Sequence, residues 1–381
     1  IGGKSLKIIS QLLLHNLRKA SFMIILTLFI FSANYLYSYS ALGIDNYTLT
    51  RKRTKEQFAH FTEKFKTKMT NFVTDSKNLI FTEDLKNMVH LAEPSDLDLV
   101  RDMVKKFNTQ SSEYRFGSFI FGPVVMRMFY FLDAPDYALK CFEDPLNDGF
   151  FDQLVSYQIL LDLLYNHQKY EEMYKVFEKV KDKQLHMTKF PKYPVVLIMA
   201  ACYKQNTPES YEYAFKLWNE MTSVGTAPLR RATTLFAALA LKQGKPHAAL
   251  EAIATQKPHY VTIRNIKVSA LADLDRVDDT FPILKGVLDV DTPGTNRHTF
   301  FEETISKVTN AVQKSNNKDL QKEFDNIEKA LRERDLIENK TIDQLLNTEI
   351  TIQPRNTDAP RMSNFRKKRL PYGLRNKDQL V

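Results

Sequence analysis

From Thr54 onward, apolar residues return every three or four positions, the spacing that gives a helix one apolar face. Phe58, Phe61, Phe65, Met69 and Phe72 make the first such stripe. A hairpin follows, with one helix around Phe81 to Leu91, a break at Pro94-Ser95, and a second helix from about Asp96 to Phe107, for which Ser95 or Asp96 is the expected N-cap. The next hairpin runs from about Phe119 to Phe142 and is broken near Asp133-Ala134-Pro135. Ala138, Met173, Ala214 and Ala249 are separated by 35, 41 and 35 residues, and Phe142, Phe177, Trp218 and Ile253 repeat those intervals four places later. A period near 35 predicts stacked helical hairpins, each burying its small residue where two helices cross and its larger one against the next hairpin. Beyond Thr299, the stripe Ile305, Val308, Val312, Leu320, Phe324, Ile327 and Leu331 slips near Ser315-Asn316-Asn317, which predicts two helices closing the far end.

The pattern divides the chain into an N-terminal segment (1–53), capping helices (54–118), repeats (119–290), closing helices (291–346) and a basic tail (347–381). The first of these reads as an address: no acid precedes Asp45, and Lys4, Lys7, Arg18 and Lys19 lie among Leu and Ser, as in a cleaved mitochondrial presequence. The alternatives are a membrane anchor through residues 21–44, which contain the apolar run Phe22 to Phe31, and an untypical start. The tail, with Pro354, Pro360, Pro371 and the basic run Arg366 to Arg369, has too little apolar content to fold alone.

Only 11 glycines in 381 residues and little strict alternation favour an all-α chain, and 43% apolar content is enough for one long solenoid or two compact domains. Cys141 and Cys202 each sit in an apolar helical stretch, which argues against a disulfide framework. The net charge of +9 is unevenly spread: residues 155–264 carry 15 Lys/Arg against 9 Asp/Glu, whereas residues 54–154 and 265–345 are each net acidic. Positive charge in mid-array suits a polyanion lying along the central repeats, although solvated lysines on helices are common.

Leu154 to Thr188, Ala214 to Pro228 (AFKLWNEMTSVGTAP) and Arg230 to Ala254 resemble the pentatricopeptide repeat (PPR) over roughly residues 80–290. Tyr157, the run Tyr213 to Met221, Gly225, Pro228, Gly244 and Ala249 fall where that pattern asks for them, while Gln168 stands where glycine is usual. The resemblance implies a right-handed superhelical solenoid of stacked hairpins, with first helices on the concave side and about one RNA base read per repeat. It places base preference at Gln158 with Thr188 and at Thr234; in the second unit the place falls near Val195, which has no polar group. Lys192, Lys204, Arg230, Arg231 and Lys242, at the starts and ends of first helices, are the expected phosphate contacts.

Catalysis finds little support. No Gly-x-Gly-x-x-Gly is present, and the Gly117 to Gly122 spacing is followed by Pro123 and lacks the Lys-Ser/Thr of a phosphate loop. Neither His-Glu-x-x-His nor Cys-x-x-Cys occurs, and the acids Asp273, Asp275, Asp278 and Asp279 read as capping and solvation at a helix boundary. The expectation is a non-enzymatic protein without cofactor or metal. The resemblance implies a protein of the mitochondrial matrix that binds single-stranded RNA and assists transcript maturation or stability for the respiratory chain, with a recruited nuclease or the mitochondrial ribosome as further partners. The alternatives are a tetratricopeptide-like scaffold gripping a peptide in the same concavity, and a ribosome-associated or membrane-tethered assembly factor.

Overall fold

A computed structural model describes residues 36–110, 119–257, 260–289 and 298–351. Eighteen α-helices follow one another among the described residues, beginning with α1 (Tyr39–Leu42), α2 (Ile44–Phe58), α3 (Thr62–Thr74), α4 (Thr82–Leu91) and α5 (Leu97–Thr109). The hairpins proper are α6 (Gly122–Phe131) with α7 (Pro135–Glu143), α8 (Leu154–Asn166) with α9 (Tyr170–Lys183), α10 (Lys192–Gln205) with α11 (Pro208–Ser223), and α12 (Arg230–Lys242) with α13 (Pro246–Ile253). They continue as α14 (Val261–Asp273) with α15 (Phe281–Leu288), and α16 (Glu302–Ser315) with α17 (Lys318–Glu333). The short α18 (Ile342–Leu346) comes last, and two-residue strands β1 (Phe300–Phe301) and β2 (Ile337–Glu338) pair in parallel. The chain is thus an all-α solenoid of stacked helical hairpins.

Within the array, each first helix packs on the next, α6 on α8, α8 on α10, α10 on α12, α12 on α14 and α14 on α16, so the first helices form a continuous inner layer. The second helices form the other layer and meet the core through one stripe each. Ala138, Met173, Ala214 and Ala249 are fully buried, as the period predicts, and Phe177, Trp218 and Ile253 are buried with them, whereas Phe142 is only half-buried, its ring edge-on to Tyr157 of the next unit at 5.1 Å. One apolar core runs from the N-terminal helices to α14, whose Val268 and Ala272 face a second core made with α15 to α17.

Turn chemistry accounts for the punctuation. Between the helices of a hairpin the chain passes through the left-handed region at Asp133 (φ 52°), Gln168 (φ 56°), Asn206 (φ 49°), Gly244 (φ 65°) and Asp275 (φ 56°). At Asp133, Gln168, Gly244 and Asp275 the next amide reaches back to a carbonyl five residues earlier, as Lys169 does to Leu164, so the last carbonyls of the first helix are satisfied. Gly225 (φ 68°) ends α11, and Pro228 lies two residues before α12. Asn317 caps α17, its side chain accepting from the amides of Asp319 and Leu320.

Three expectations change. The stripe from Phe58 to Phe72 is interrupted between α2 and α3, leaving Phe61 62% exposed while Met69 is buried. Asp96 does not cap α5 with its side chain; its carboxylate turns back to accept the Glu93 amide at 2.8 Å and to pair with Lys66 at 2.7 Å. The boundary at residue 53 falls inside α2, because Leu36, Tyr37, Leu42, Ile44 and Tyr47 are buried in the main core. The far end of the run 21–44 is therefore folded into the body, while the rest of that run, Lys4 to Lys19 and most of the basic tail lie outside the described residues. Among the described residues no helix is long and apolar enough to cross a membrane.

Candidate nucleic-acid interface

Charge separates by layer. The first helices α8, α10, α12 and α14 carry Lys192, Lys204, Arg230, Arg231, Lys242, Arg264 and Lys267 against only Asp162 and Asp273. Their partners α9, α11, α13 and α15 carry eight acids against six lysines. Four of the six second-layer lysines are paired: Lys181 bridges Glu178 of its own helix at 2.7 Å and Glu220 at 3.4 Å, Lys183 reaches Asp148 at 3.0 Å and Asp152 at 2.8 Å, Lys179 meets Glu143 at 3.6 Å and Lys285 meets Glu323 at 2.5 Å.

Lys192 and Arg230, at the first turns of α10 and α12, are exposed and have no acid partner among the described residues. Each has an aromatic beside it. Tyr193, 53% exposed, follows Lys192, and the Arg230 guanidinium lies 3.6 Å from the centre of the Tyr260 ring. At the other end of the layer, the Lys242 ammonium sits 3.9 Å over the Tyr203 ring, next to Lys204. Cations alternating with ring faces can hold phosphates and stack bases. The cations are legible along the chain, whereas Tyr193, Tyr203 and Tyr260 are not among the expected contacts, although two of them are adjacent to a lysine.

The middle of the layer is covered by the protein itself. Residues 341–350, which include α18, lie across α12 and α14, and Ile350 forms a parallel bridge with Tyr37 from the other end of the chain. We call this segment the strap. Arg231 donates one terminal nitrogen to the Leu345 carbonyl at 3.0 Å and the other to the Thr348 carbonyl. Asp343 accepts from the Tyr203 hydroxyl at 3.0 Å and pairs with Lys242 at 3.3 Å. Partial burial raises the cost of its charge, but Tyr203, Lys242 and Lys204 together hold its carboxyl below the ordinary range. Burial also lowers the pKa of Arg231 and of Lys204, the latter helped by neighbouring Lys242.

These contacts correct two of the expected roles. Thr234 is 2% exposed, its hydroxyl donating to the Arg231 carbonyl at 3.0 Å, so it does not present a polar group to a base in this arrangement. Arg231 is spent on strap carbonyls. Val195 is likewise buried, Gln158 and Thr188 are half-buried, and Thr188 ends a short turn after α9. Deeper still, Asp162 of α8 accepts the Tyr37 amide at 3.3 Å and the Tyr130 hydroxyl at 2.8 Å; desolvation pushes its carboxyl up to about 7 against those hydrogen bonds.

Among the described residues no group of His, Cys, Asp and Glu is arranged to hold a metal. Asp273, Asp275 and Asp279 pair with Lys307, Lys314 and Arg276. Cys141 and Cys202 are separate buried thiols, each pushed up to about 12 by desolvation.

No protein-family model matches the chain. Over 240 residues it is 30% identical to pentatricopeptide repeat-containing protein 2, mitochondrial, of Mus musculus, covering 62% of each chain. The protein of the same name from Homo sapiens is 28% identical over 238 residues, covering 62% of this chain and 61% of that one. The Xenopus laevis protein is 31% identical over 168 residues, 44% of this chain and 43% of its own. The chain thus spans about 62% of the length of the mouse relative it matches. Its hairpin period, its turn residues and its all-α stack accompany this similarity to mitochondrial pentatricopeptide repeat-containing proteins over about 62% of the chain.

Proposed function

We propose that this chain is a non-catalytic, single-stranded RNA-binding protein of the mitochondrial matrix that assists maturation or stability of organelle transcripts on which the respiratory chain depends. The observation that carries this reading is the segregation of charge, seven basic residues against two acids on the first helices α8 to α14, with one of the two acids buried. Counterion release from RNA would reward that layer and leave the second one indifferent. Lys192 and Arg230 supply phosphate contacts open to solvent, and Tyr193 supplies a stacking face. Gln158 and Thr188 are the polar groups near a base edge, so base selectivity rests on one unit and is weak.

Crosslinking and sequencing of RNA bound in intact mitochondria tests it. Wild-type protein is expected to enrich organelle transcripts, and Lys192→Glu/Arg230→Glu to lose them, with binding to any single-stranded RNA weakened about 10- to 100-fold for the two lost contacts at low salt. Equal recovery of RNA by both proteins would sink the reading.

A second reading has one observation in its favour: what the layer holds in this structure is a peptide, the strap, gripped through its backbone carbonyls. A scaffold binding an extended partner segment would leave RNA recovery at background for both proteins.

A further inference from the structure

The strap carries Asp343 and Glu349 and no lysine or arginine, and it lies across α12 and α14, which carry Arg230, Arg231, Lys242, Arg264 and Lys267 against Asp273, with its Ile342 amide donating to Glu303 of α16. Arg231, Thr234, Ala238 and Lys242 follow one another at three- and four-residue intervals and so share one face of α12. Arg231 and Lys242 at its two ends both bind the strap, and Ala238, Lys242, Ile342 and Asp343 line a common cavity of about 170 Å³. The face the repeat pattern assigns to RNA is therefore the face the strap covers. The fit is imperfect in one respect. The Arg231 Nε is buried without an acceptor, although a phosphate could take Nε and a terminal nitrogen together.

We propose that residues 341–350 are an autoinhibitory strap, an anionic stand-in for RNA that occupies the central first helices and must be displaced for RNA to reach Arg231, Thr234 and Lys242. The inference rests on the RNA-binding reading above and adds regulation to it. RNA phosphates replace the Leu345 and Thr348 carbonyls on Arg231 and the Asp343 carboxylate on Lys242. The strap retains its upstream tether at β2, which is paired with β1, so it stays close and competes at high effective concentration. What opens is the contact between Ile350 and residues 36–38, two backbone hydrogen bonds of 2.8 and 3.1 Å, together with the Arg231 and Lys242 contacts and the seat of Leu346, which is fully buried in the main core. One end of the layer, with Lys192-Tyr193 and Arg230-Tyr260 at the starts of α10 and α12, remains available in the closed form and gives RNA its first hold.

The bridge between Tyr37 and Ile350 provides the test, since paired strands lie about 4.8 Å apart and within disulfide reach. Tyr37→Cys/Ile350→Cys in the full chain is measured by fluorescence anisotropy with a labelled mixed-sequence single-stranded RNA, oxidised and then reduced. The expected result is binding at least about tenfold weaker when the strap is locked and restored by dithiothreitol, a comparison at constant sequence and nearly constant charge. Hydrogen exchange on the unaltered protein is the second measurement: RNA should speed exchange of the Ser38 and Ile350 amides while slowing others in the array. Equal affinity of the locked and reduced forms, or protection of those two amides by RNA, overturns the strap and leaves RNA binding standing. Absence of RNA binding by the wild-type, reduced and Asp343→Asn proteins alike overturns both.

Discussion

Helix α10 buries ten residues in succession, Pro194 to Tyr203, whereas its hairpin partner α11 buries six of its sixteen, at 210/211, 214, 217/218 and 221. The contrast holds along the array: α12 buries nine in a row from Ala232 to Ala240, and α9 and α13 bury a single stripe. A helix apolar all round belongs inside, between neighbours on both flanks, a partner behind and a cover in front. The first helices have all four, since the strap and residues 36–38 supply the cover. The second helices have a back and a solvent face, and they spend their charges on one another. Stability is therefore concentrated in the first layer and at the seam, while the outer face is free to vary.

Breaking the seam should have the largest effect. Trp218 of α11 stacks on Phe236 of α12 with ring centres 5.0 Å apart and planes 11° from parallel, flanked by Tyr211 and Phe215. Trp218→Ala is expected to cost about 3–5 kcal/mol in urea unfolding. Glu212→Ala on the exposed face of the same helix should stay within about 0.5 kcal/mol. Similar losses from both would mean the two faces of α11 do not differ as described.

The charge contrast is sharpened by reversing second-layer lysines. Lys175→Glu/Lys179→Glu removes the same formal charge as Lys192→Glu/Arg230→Glu. In filter binding with single-stranded RNA it should change affinity by less than about threefold, a long-range effect that fades with salt. A loss as large as that of the first-layer pair would show that net charge, and not its placement, governs binding.

Much of this architecture could be read along the chain, and the reason is locality. Hairpins announce themselves through a period near 35, small residues at crossings and a turn residue at each break, all within one unit. The strap leaves no such mark. Tyr37 and Ile350 are brought together by the whole stack, and neither Ile342-Asp343-Gln344-Leu345-Leu346 nor Leu36-Tyr37-Ser38 differs in composition from an ordinary short helix or linker. Reading Thr234 as a base contact followed from its place in the repeat, and the pattern of one repeat cannot reveal that a distant segment lies on top. The cations at Lys192 and Arg230 were legible because helix starts are local; the stacking of Arg230 on Tyr260, across two units, was not.

Asp162 is the exception within the first layer, an acid whose burial holds its carboxyl near 7, above its unfolded range near 4. The folded chain keeps a proton there that the unfolded chain releases, so this group's contribution to stability falls as pH rises from about 4 to about 7 and is flat above. Asp162→Asn retains an oxygen for the Tyr37 amide and the Tyr130 hydroxyl and removes the titration. Its melting temperature should match wild type near pH 5 and exceed it by about 4 °C at pH 8. A wild-type advantage that grows toward pH 8 would mean the carboxylate is held charged.

The smallest effect concerns a position where two equivalent turns use different residues. Gln168 after α8 and Gly244 after α12 both take the left-handed conformation, at φ 56° and 65°, and both turns are closed by the same backbone reach to the first helix. A side chain in that region costs about 1–2 kcal/mol, and glycine gives back part of the saving through its freer unfolded chain. Gln168→Gly should therefore stabilise the protein by about 0.5–1 kcal/mol, and Gly244→Gln should destabilise it by a similar amount. No atom lies within 4 Å of where a Cβ on Gly244 would sit, so any penalty there comes from backbone conformation and not from crowding. Opposite and roughly equal shifts in urea midpoint would show that the two turns are one device built from different residues. A loss at Gln168→Gly would instead mean that the glutamine side chain makes up for its own backbone strain.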